Sequence, residues 1–181
     1  MLILNKFLVC LKNKKELNVK KIYCLLICSI VVNCNTQSPD KLWNNAKLMR
    51  SENNMKQSII SLESIIQEYP DHDLAAKAQF QKAEIYLNDI KDFDFAIEEF
   101  EKVINHYPKH DVAKNSLFMI AYIYNNYLSS FTDAIYNYNM FLDKYPNDEL
   151  IPSVKYELEG LYKIEGIIDS LNLIVTNKSN I

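Results

Sequence analysis

The chain has 181 residues, of which 49% are apolar and 24% charged, with a formal net charge of −3; this is the balance of one folded domain rather than of a disordered chain. Only two glycines occur, Gly160 and Gly166, which excludes a P-loop or a dinucleotide-binding loop because each needs several glycines in one short turn. So few turn-forming residues also argue against an all-β fold. We therefore expect an all-α protein made of long helices.

The N-terminal segment, residues 1–34, has the pattern of an export signal. A lysine-rich stretch precedes an apolar run over residues 22–32, and this run is too short to cross a membrane as a stable helix. Its length fits the apolar part of a secretory signal, and the lysines fit the basic segment that precedes such a part. We therefore predict a signal over residues 1–34, followed by a polar linker over residues 35–39.

The end of this run, Val31-Val32-Asn33-Cys34, resembles a bacterial lipobox. The resemblance implies that Cys34 is lipidated and becomes the mature N-terminus, and several acyl chains anchor a protein firmly because each buried CH₂ contributes about 0.8 kcal/mol. The residue that follows is Asn35 rather than Asp, which favours the outer membrane over the inner one. Cys28 is a second candidate, and a cleaved signal without lipid or a short hydrophobic arm are alternative interpretations.

Residues 40–165 contain a sequence repeat with a constant period. The dipeptide Tyr-Pro occurs three times at equal spacing, in Tyr69-Pro70, Tyr107-Pro108 and Tyr145-Pro146. Bulky apolar residues before each Tyr-Pro lie on one helical stripe. Each stripe follows a good N-cap residue, namely Asn54, Asp92 or Ser130. The pattern predicts that every repeat has a second helix, which begins at this cap and ends near Tyr-Pro.

A first helix precedes the second helix in each repeat. Its aligned small residues, Ala83 and Ala121, let the partner helix approach closely, and helix pairs repeated with short connections form an α-solenoid. A fourth first helix begins at Ile151. Because glycine weakens helices, we expect this helix to end near Gly160 and Gly166 as a cap, with a loose tail over residues 166–181.

The aligned residues resemble the tetratricopeptide repeat. The small, aromatic and closing positions of that repeat are matched in one copy by Ala83, Tyr86, Ala96, Phe100 and Pro108, and in the next copy by Ala121, Tyr124, Ala134, Tyr138 and Pro146. A degenerate first copy keeps Ser58, Leu62 and Pro70. The long period with Tyr-Pro closures is similar to envelope lipoproteins of the BamD/YfiO type and to the repeat domain of the YbgF/CpoB type. The resemblance implies an α-solenoid of about three antiparallel helix pairs and a C-terminal capping helix.

The resemblance also implies a groove that binds extended peptides. The groove-lining positions of the family's first helices correspond here to Phe80, Glu84, Leu87, Asn88, Phe118, Tyr122, Asn125 and Asn126, and in the degenerate copy to Leu42, Met49 and Arg50. Amides can donate and accept along a peptide backbone, and aromatic rings supply contact area at a low cost in entropy. The groove lacks the paired lysines that clamp a C-terminal carboxylate, so we expect an apolar or aromatic peptide instead.

The residues that could carry chemistry are better explained as structural. His72 and His110 are separated by one full repeat, with Asp148 as their third equivalent, and their place before a first helix suits a polar cap. All four cysteines lie within residues 1–34, which leaves none for a zinc site in the repeats. No HExxH motif or nucleophile elbow occurs. We therefore predict no enzymatic activity, metal, cofactor or small-molecule substrate.

The charge of the repeats argues against nucleic acid as a partner. Residues 1–34 hold six lysines and one glutamate, so the remaining chain has 14 basic and 22 acidic residues and a formal net charge of −8. Binding to nucleic acid requires a basic stripe that displaces counterions.

These features together predict an exported, lipid-anchored tetratricopeptide scaffold that binds protein or peptide segments at the bacterial cell envelope, on the periplasmic face of the outer membrane. The resemblance to the BamD/YfiO type implies a role in outer-membrane protein assembly. A soluble intracellular adaptor is one alternative, and a periplasmic protein linked to cell division or peptidoglycan is another.

Overall fold

A computed structural model describes residues 37–178, and the side chains as far as residue 170. Within these residues there are seven α-helices and no strand: α1 Pro39–Ser51, α2 Met55–Glu68, α3 Asp73–Glu84, α4 Phe93–His106, α5 Asp111–Asn126, α6 Phe131–Lys144 and α7 Ile151–Lys178. Helix α3 continues directly into a π-helical turn, Ile85–Ile90. The predicted all-α fold is confirmed, whereas the predicted signal and Cys34 lie outside the described residues.

The helices pack in consecutive pairs. Helix α1 packs on α2, α3 on α4, and α5 on α6, while α7 packs on α6. The connections are short, so neighbouring helices run antiparallel. The first helices of adjacent repeats also touch, α1 with α3 and α3 with α5. The result is an α-solenoid with first helices in one layer and second helices in the other.

The small residues of the repeat lie where the two helices of a pair meet. Ala83 and Ala96 are fully buried in one cluster with Phe100. Ala121 and Ala134 are fully buried in the next cluster with Tyr138. Methyl-sized side chains allow the helix axes to approach, so that the large ring from the second helix fills the space beside them. The prediction that the alanines mark the helix contact is confirmed.

The turn between the two helices of each repeat contains a non-glycine residue in the left-handed region. These residues are Asn53, Lys91 and Ser129, with φ of 60°, 63° and 52°, and they recur with the same period as the rest of the pattern. The next backbone N–H bonds back to a carbonyl in the first helix, from Asp92 to Tyr86 at 2.9 Å and from Ser130 to Tyr124 at 2.9 Å. This arrangement closes the first helix and places the cap of the second.

The predicted N-caps of the second helices are confirmed in position. The side chains of Asn54 and Asp92 each accept a hydrogen bond from a backbone N–H three residues later, at 3.2 Å. Ser130 holds the same position without such a bond, and its hydroxyl donates to the Asp133 carboxylate at 2.5 Å instead.

The predicted end of the fourth first helix is wrong. Helix α7 runs through Gly160 and Gly166 to Lys178, so most of the segment predicted as a loose tail is helical. A glycine costs a helix only about 1 kcal/mol relative to alanine. Val154, Leu158 and Leu161 of the same helix, on either side of Gly160, are buried in a cluster with α6 residues, and this burial outweighs the cost at Gly160.

Candidate functional site

The exposed side of the four first helices α1, α3, α5 and α7, here called the first-helix wall, contains most of the residues predicted for the groove. Phe80, Glu84, Phe118, Tyr122 and Asn125 are half-buried on it. Asn88 and Asn126 are exposed, and the Asn126 amide donates to the Tyr122 carbonyl of its own helix at 3.0 Å.

Leu87 and Leu42 do not fit the predicted groove. Leu87 is only 3% exposed and packs in the core cluster that contains Phe100, while Leu42 is 8% exposed and packs between α1 and its neighbours. Leu87 lies in the π-helical turn, where each residue rotates less about the helix axis than in an α-helix. Its equivalent in the regular helix α5, Asn125, stays half-buried on the wall, so the π-helical turn accounts for the difference.

Two phenylalanines at equivalent positions carry most of the aromatic surface of the wall. Phe80 packs edge-on against Phe100 with ring centroids 5.2 Å apart. Phe118 packs edge-on against Tyr138 at 5.8 Å and stacks on Tyr122 at 6.5 Å. The contacts hold each ring from the second-helix side and leave part of it free, which gives a preformed apolar surface.

Polar side chains link neighbouring first helices across the wall. The Arg50 guanidinium on α1 pairs with the Asp89 carboxylate at 2.7 Å. The Asn125 amide on α5 donates to the Glu157 carboxylate on α7 at 2.9 Å. These bonds fix the spacing of the first helices and place acidic groups on the wall.

Glu84 is a further acidic group on this surface. Burial raises the pKa of its carboxyl, the positive charge of Arg50 opposes that change, and the negative charge of Asp89 adds to it. The Glu84 side chain therefore holds a proton more readily than a free glutamate does.

Three wall residues on α7 are absent from the predicted groove: Tyr156, Glu157 and Gly160. The sequence does contain a signal for Tyr156, which follows Phe80 and Phe118 at the period of the repeat. Its ring is 77% exposed. Because α7 is expected from the sequence to be only a capping helix, its residues are not included in the predicted groove.

The predicted roles of His72 and His110 as caps are confirmed, and Asp148 makes the equivalent hydrogen bond in the turn before α7. Each side chain accepts a hydrogen bond from the backbone N–H two residues later, at 3.1, 3.2 and 2.9 Å. Residues 37–170 contain no group of three or more His, Cys, Asp or Glu side chains that could hold a metal ion. Over the described part of the chain, no helix has the length and apolar character needed to span a membrane.

Comparison with known families agrees with this geometry. The family model described as tetratricopeptide repeat matches residues 77–110 and 115–148. Each match begins inside a first helix and continues through the following second helix and the turn that ends the repeat. These two stretches match the tetratricopeptide repeat, a type of repeat whose arrays present an extended binding surface. No curated protein matches the chain significantly.

Proposed function

We propose that the first-helix wall binds an extended protein segment and that the protein presents this wall at a bacterial cell envelope. The observation that supports the wall as the binding surface is the row of Phe80, Phe118 and Tyr156. These rings occupy equivalent positions on α3, α5 and α7, are partly or largely exposed, and lie beside amide and carboxylate groups. This combination offers both contact area and hydrogen bonds to a peptide backbone.

The spacing of the helices suits an extended ligand. Packed helices have axes about 8–10 Å apart, so equivalent positions recur at about that interval across the wall. An extended chain advances about 3.3 Å per residue, and about three residues therefore carry it from one ring to the next. A helical ligand would advance only about 5 Å over the same three residues.

The location at the envelope rests on the sequence of residues 22–34. The apolar run and the lipobox-like Cys34 support export and lipidation, and Asn35 supports the outer membrane. The likeness of the long repeats to the BamD/YfiO type supports outer-membrane protein assembly as the process served.

An in-cell crosslink tests the wall. A photo-crosslinking amino acid at Tyr122, on the wall, is expected to capture a partner, whereas the same amino acid at Glu98, exposed on α4, is expected to capture far less. Mass spectrometry of the captured protein tests the proposed process. Equal capture from both positions would refute binding through the wall.

Metabolic labelling with palmitate tests the anchor. The wild type and the Cys28→Ala variant are expected to carry label and to sediment with membranes, whereas Cys34→Ala is expected to lose the label. The Cys28 variant is the matched control because it removes the neighbouring cysteine of the same run. An unlabelled wild type in the soluble fraction would contradict the anchored form.

A further inference from the structure

The first-helix wall has a distinct pocket at its C-terminal end. This cavity of about 230 Å³ is formed by α5 and α7, and its lining includes Asn125, Tyr156, Glu157, Gly160, Leu161 and Ile164. Leu161 belongs to a buried core cluster, and the rest of the lining includes an exposed aromatic ring, a glycine and carboxylates.

Gly160 leaves a notch in α7 that nothing else in the described chain requires. A Cβ atom at this position would meet no other atom within 4 Å. Apart from proline, glycine is the poorest helix former, so helix propensity favours a larger residue and packing does not exclude one. The notch uncovers the helix backbone beside Tyr156 and admits a side chain from outside.

Within the described residues, no second helix covers Tyr156. Phe80 and Phe118 are covered on one side by Phe100 and Tyr138. No helix follows α7 within the described residues to supply the same contact, and the Tyr156 ring is 77% exposed. Its face is therefore free to pack on a ligand.

The Glu157 carboxylate lines the pocket and is held in place by a hydrogen bond. Its Oε2 atom accepts a hydrogen bond from the Asn125 amide at 2.9 Å, which leaves Oε1 as an acceptor for a ligand. Lys163 also lines the pocket, but its ammonium is engaged by Glu159 at 2.7 Å. The charge that remains uncompensated there is that of Glu157.

A buried hydroxyl lies in the core cluster to which the pocket residue Leu161 also belongs. Tyr138 is fully buried, and its hydroxyl has no hydrogen-bond partner in the described part of the chain. Burial raises the pKa of this hydroxyl, and the negative charge of Glu157 raises it further. The equivalent residues Leu62 and Phe100 carry no hydroxyl, and a buried polar group normally has a partner.

We propose that this pocket binds a lysine or arginine side chain of the extended segment, with the cation at Glu157 and the aliphatic stem in the Gly160 notch. The inference rests on the proposed function of the wall and names the chemistry of its ligand. A carboxylate attracts the cation, and the exposed Tyr156 face favours a cation beside it. Apolar surface along the stem suits the methylene groups of lysine and arginine. The net charge of −8 on residues 35–181 also attracts a basic segment.

Fluorescence anisotropy with matched peptides tests the proposal. The probes are three fluorescein-labelled nine-residue peptides of alanine and tyrosine that differ only in a central Lys, Gln or Glu, titrated with the full chain in mild detergent. The Lys peptide is expected to bind about tenfold or more tightly than the Gln peptide, the size of one charge-assisted hydrogen bond. The Glu157→Gln variant is expected to remove this difference.

The control variant is Glu98→Gln, which makes the same charge change on the second-helix side and is expected to leave binding unchanged. Gly160→Leu fills the notch and is expected to weaken binding of the Lys peptide more than that of the other two peptides. Thermal melts verify that each variant is folded. If the Lys and Gln peptides bind with equal affinity but Tyr122→Ala still loses binding, the cationic pocket is refuted while the wall remains the peptide site. Absence of binding by all three peptides overturns both this inference and the wall as a peptide site.

Discussion

The imidazole of His110 joins two repeats, with its Nε2 atom 3.1 Å from the Asp73 carboxylate of the preceding repeat. Its Nδ1 atom accepts from the backbone N–H of Val112 at 3.2 Å, so Nε2 carries the proton and donates to Asp73. Asp148 acts in a similar way one repeat later: its Oδ1 atom accepts from the Leu150 N–H in the turn before α7, and its Oδ2 atom pairs with Lys114 at 2.7 Å. The position thus caps one first helix and contacts the previous one.

Replacing His110 tests the capping role. We expect His110→Ala to lower the free energy of unfolding by about 1 kcal/mol, because α5 loses its N-cap acceptor. His110→Asn restores a capping side chain and is expected to recover most of the loss. Urea denaturation gives both values, with His106→Ala, at an exposed position, as a control that should change stability little. A His110→Ala variant as stable as the wild type would contradict the capping role.

Asp148 makes the free energy of unfolding depend on pH in the acid range. The hydrogen bond from Lys114 lowers the pKa of its carboxyl below the ordinary value of 3.8, and the backbone N–H of Leu150 lowers it further. A lowered folded-state pKa means that the stabilisation is fully present above the ordinary value and is lost as pH falls through the folded-state pKa. We therefore expect the loss of stability from pH 5 to pH 2 to be smaller in Asp148→Asn than in the wild type.

Urea midpoints at pH 7, 5, 3 and 2 measure this difference. Asp143→Asn, a substitution at an exposed position on α6, is the matched control, and its urea midpoints should depend on pH as those of the wild type do. An Asp148→Asn profile parallel to that of the wild type would show that the Lys114 pair contributes nothing.

Lys91 occupies a backbone conformation that suits glycine better than lysine. Its φ is 63°, and a side chain in the left-handed region costs about 1 kcal/mol or more. We expect Lys91→Gly to raise the free energy of unfolding by up to about 1 kcal/mol, since the entropy lost by glycine offsets part of the relief. The control Glu98→Gly, in the middle of α4, should lower stability by about 1 kcal/mol. Destabilisation by Lys91→Gly would show that the lysine side chain makes contacts that stabilise the protein by more than the left-handed backbone conformation costs.

A buried ion network ties α2, α3 and α4 together. Glu99 is 2% exposed, accepts a hydrogen bond from Gln79, and pairs with Lys102 at 2.7 Å and with Lys82 at 3.4 Å. Lys82 also pairs with Glu63 at 2.7 Å. Burial opposes the Lys82 charge, but the hydrogen bond to Glu63 and the charge of Glu99 raise its pKa overall.

We expect Lys82→Met to lower the free energy of unfolding by about 2 kcal/mol or more, because it leaves the buried Glu99 with one cation fewer. The double variant Lys82→Met with Glu99→Met removes both buried charges and is expected to recover part of the loss. Chemical denaturation of the two single variants and the double variant forms the cycle that measures this coupling. Strict additivity would contradict the network.

The parts of the fold that follow from local spacing could be predicted from the sequence. The alanines, the Tyr-Pro closures and the capping residues recur with one constant period, and each has a local physical role that one repeat already shows. The left-handed residues Asn53, Lys91 and Ser129 share this spacing but have no side chain type in common, so the residue types themselves gave no sign of the backbone conformation.

The parts that depend on tertiary packing could not be predicted in the same way. Leu87 turns inward because of the π-helical turn, and nothing in its local sequence distinguishes this segment clearly from the regular end of α5. Helix α7 continues past Gly160 because Val154, Leu158 and Leu161, on either side of this glycine, are buried in a cluster with α6 residues, a contact that helix propensity alone does not include. The pocket beside Gly160 follows from this continuation.

Hydrogen exchange on the protein with its captured partner tests the central claim most directly. The partner identified from the Tyr122 crosslink is purified and added to the full chain without crosslinking, and the exchange of each helix is compared with and without it. Binding through the first-helix wall predicts slower exchange in α3, α5 and the first half of α7, with α2, α4 and α6 little changed. Protection confined to α2, α4 and α6 would contradict the wall as the binding surface.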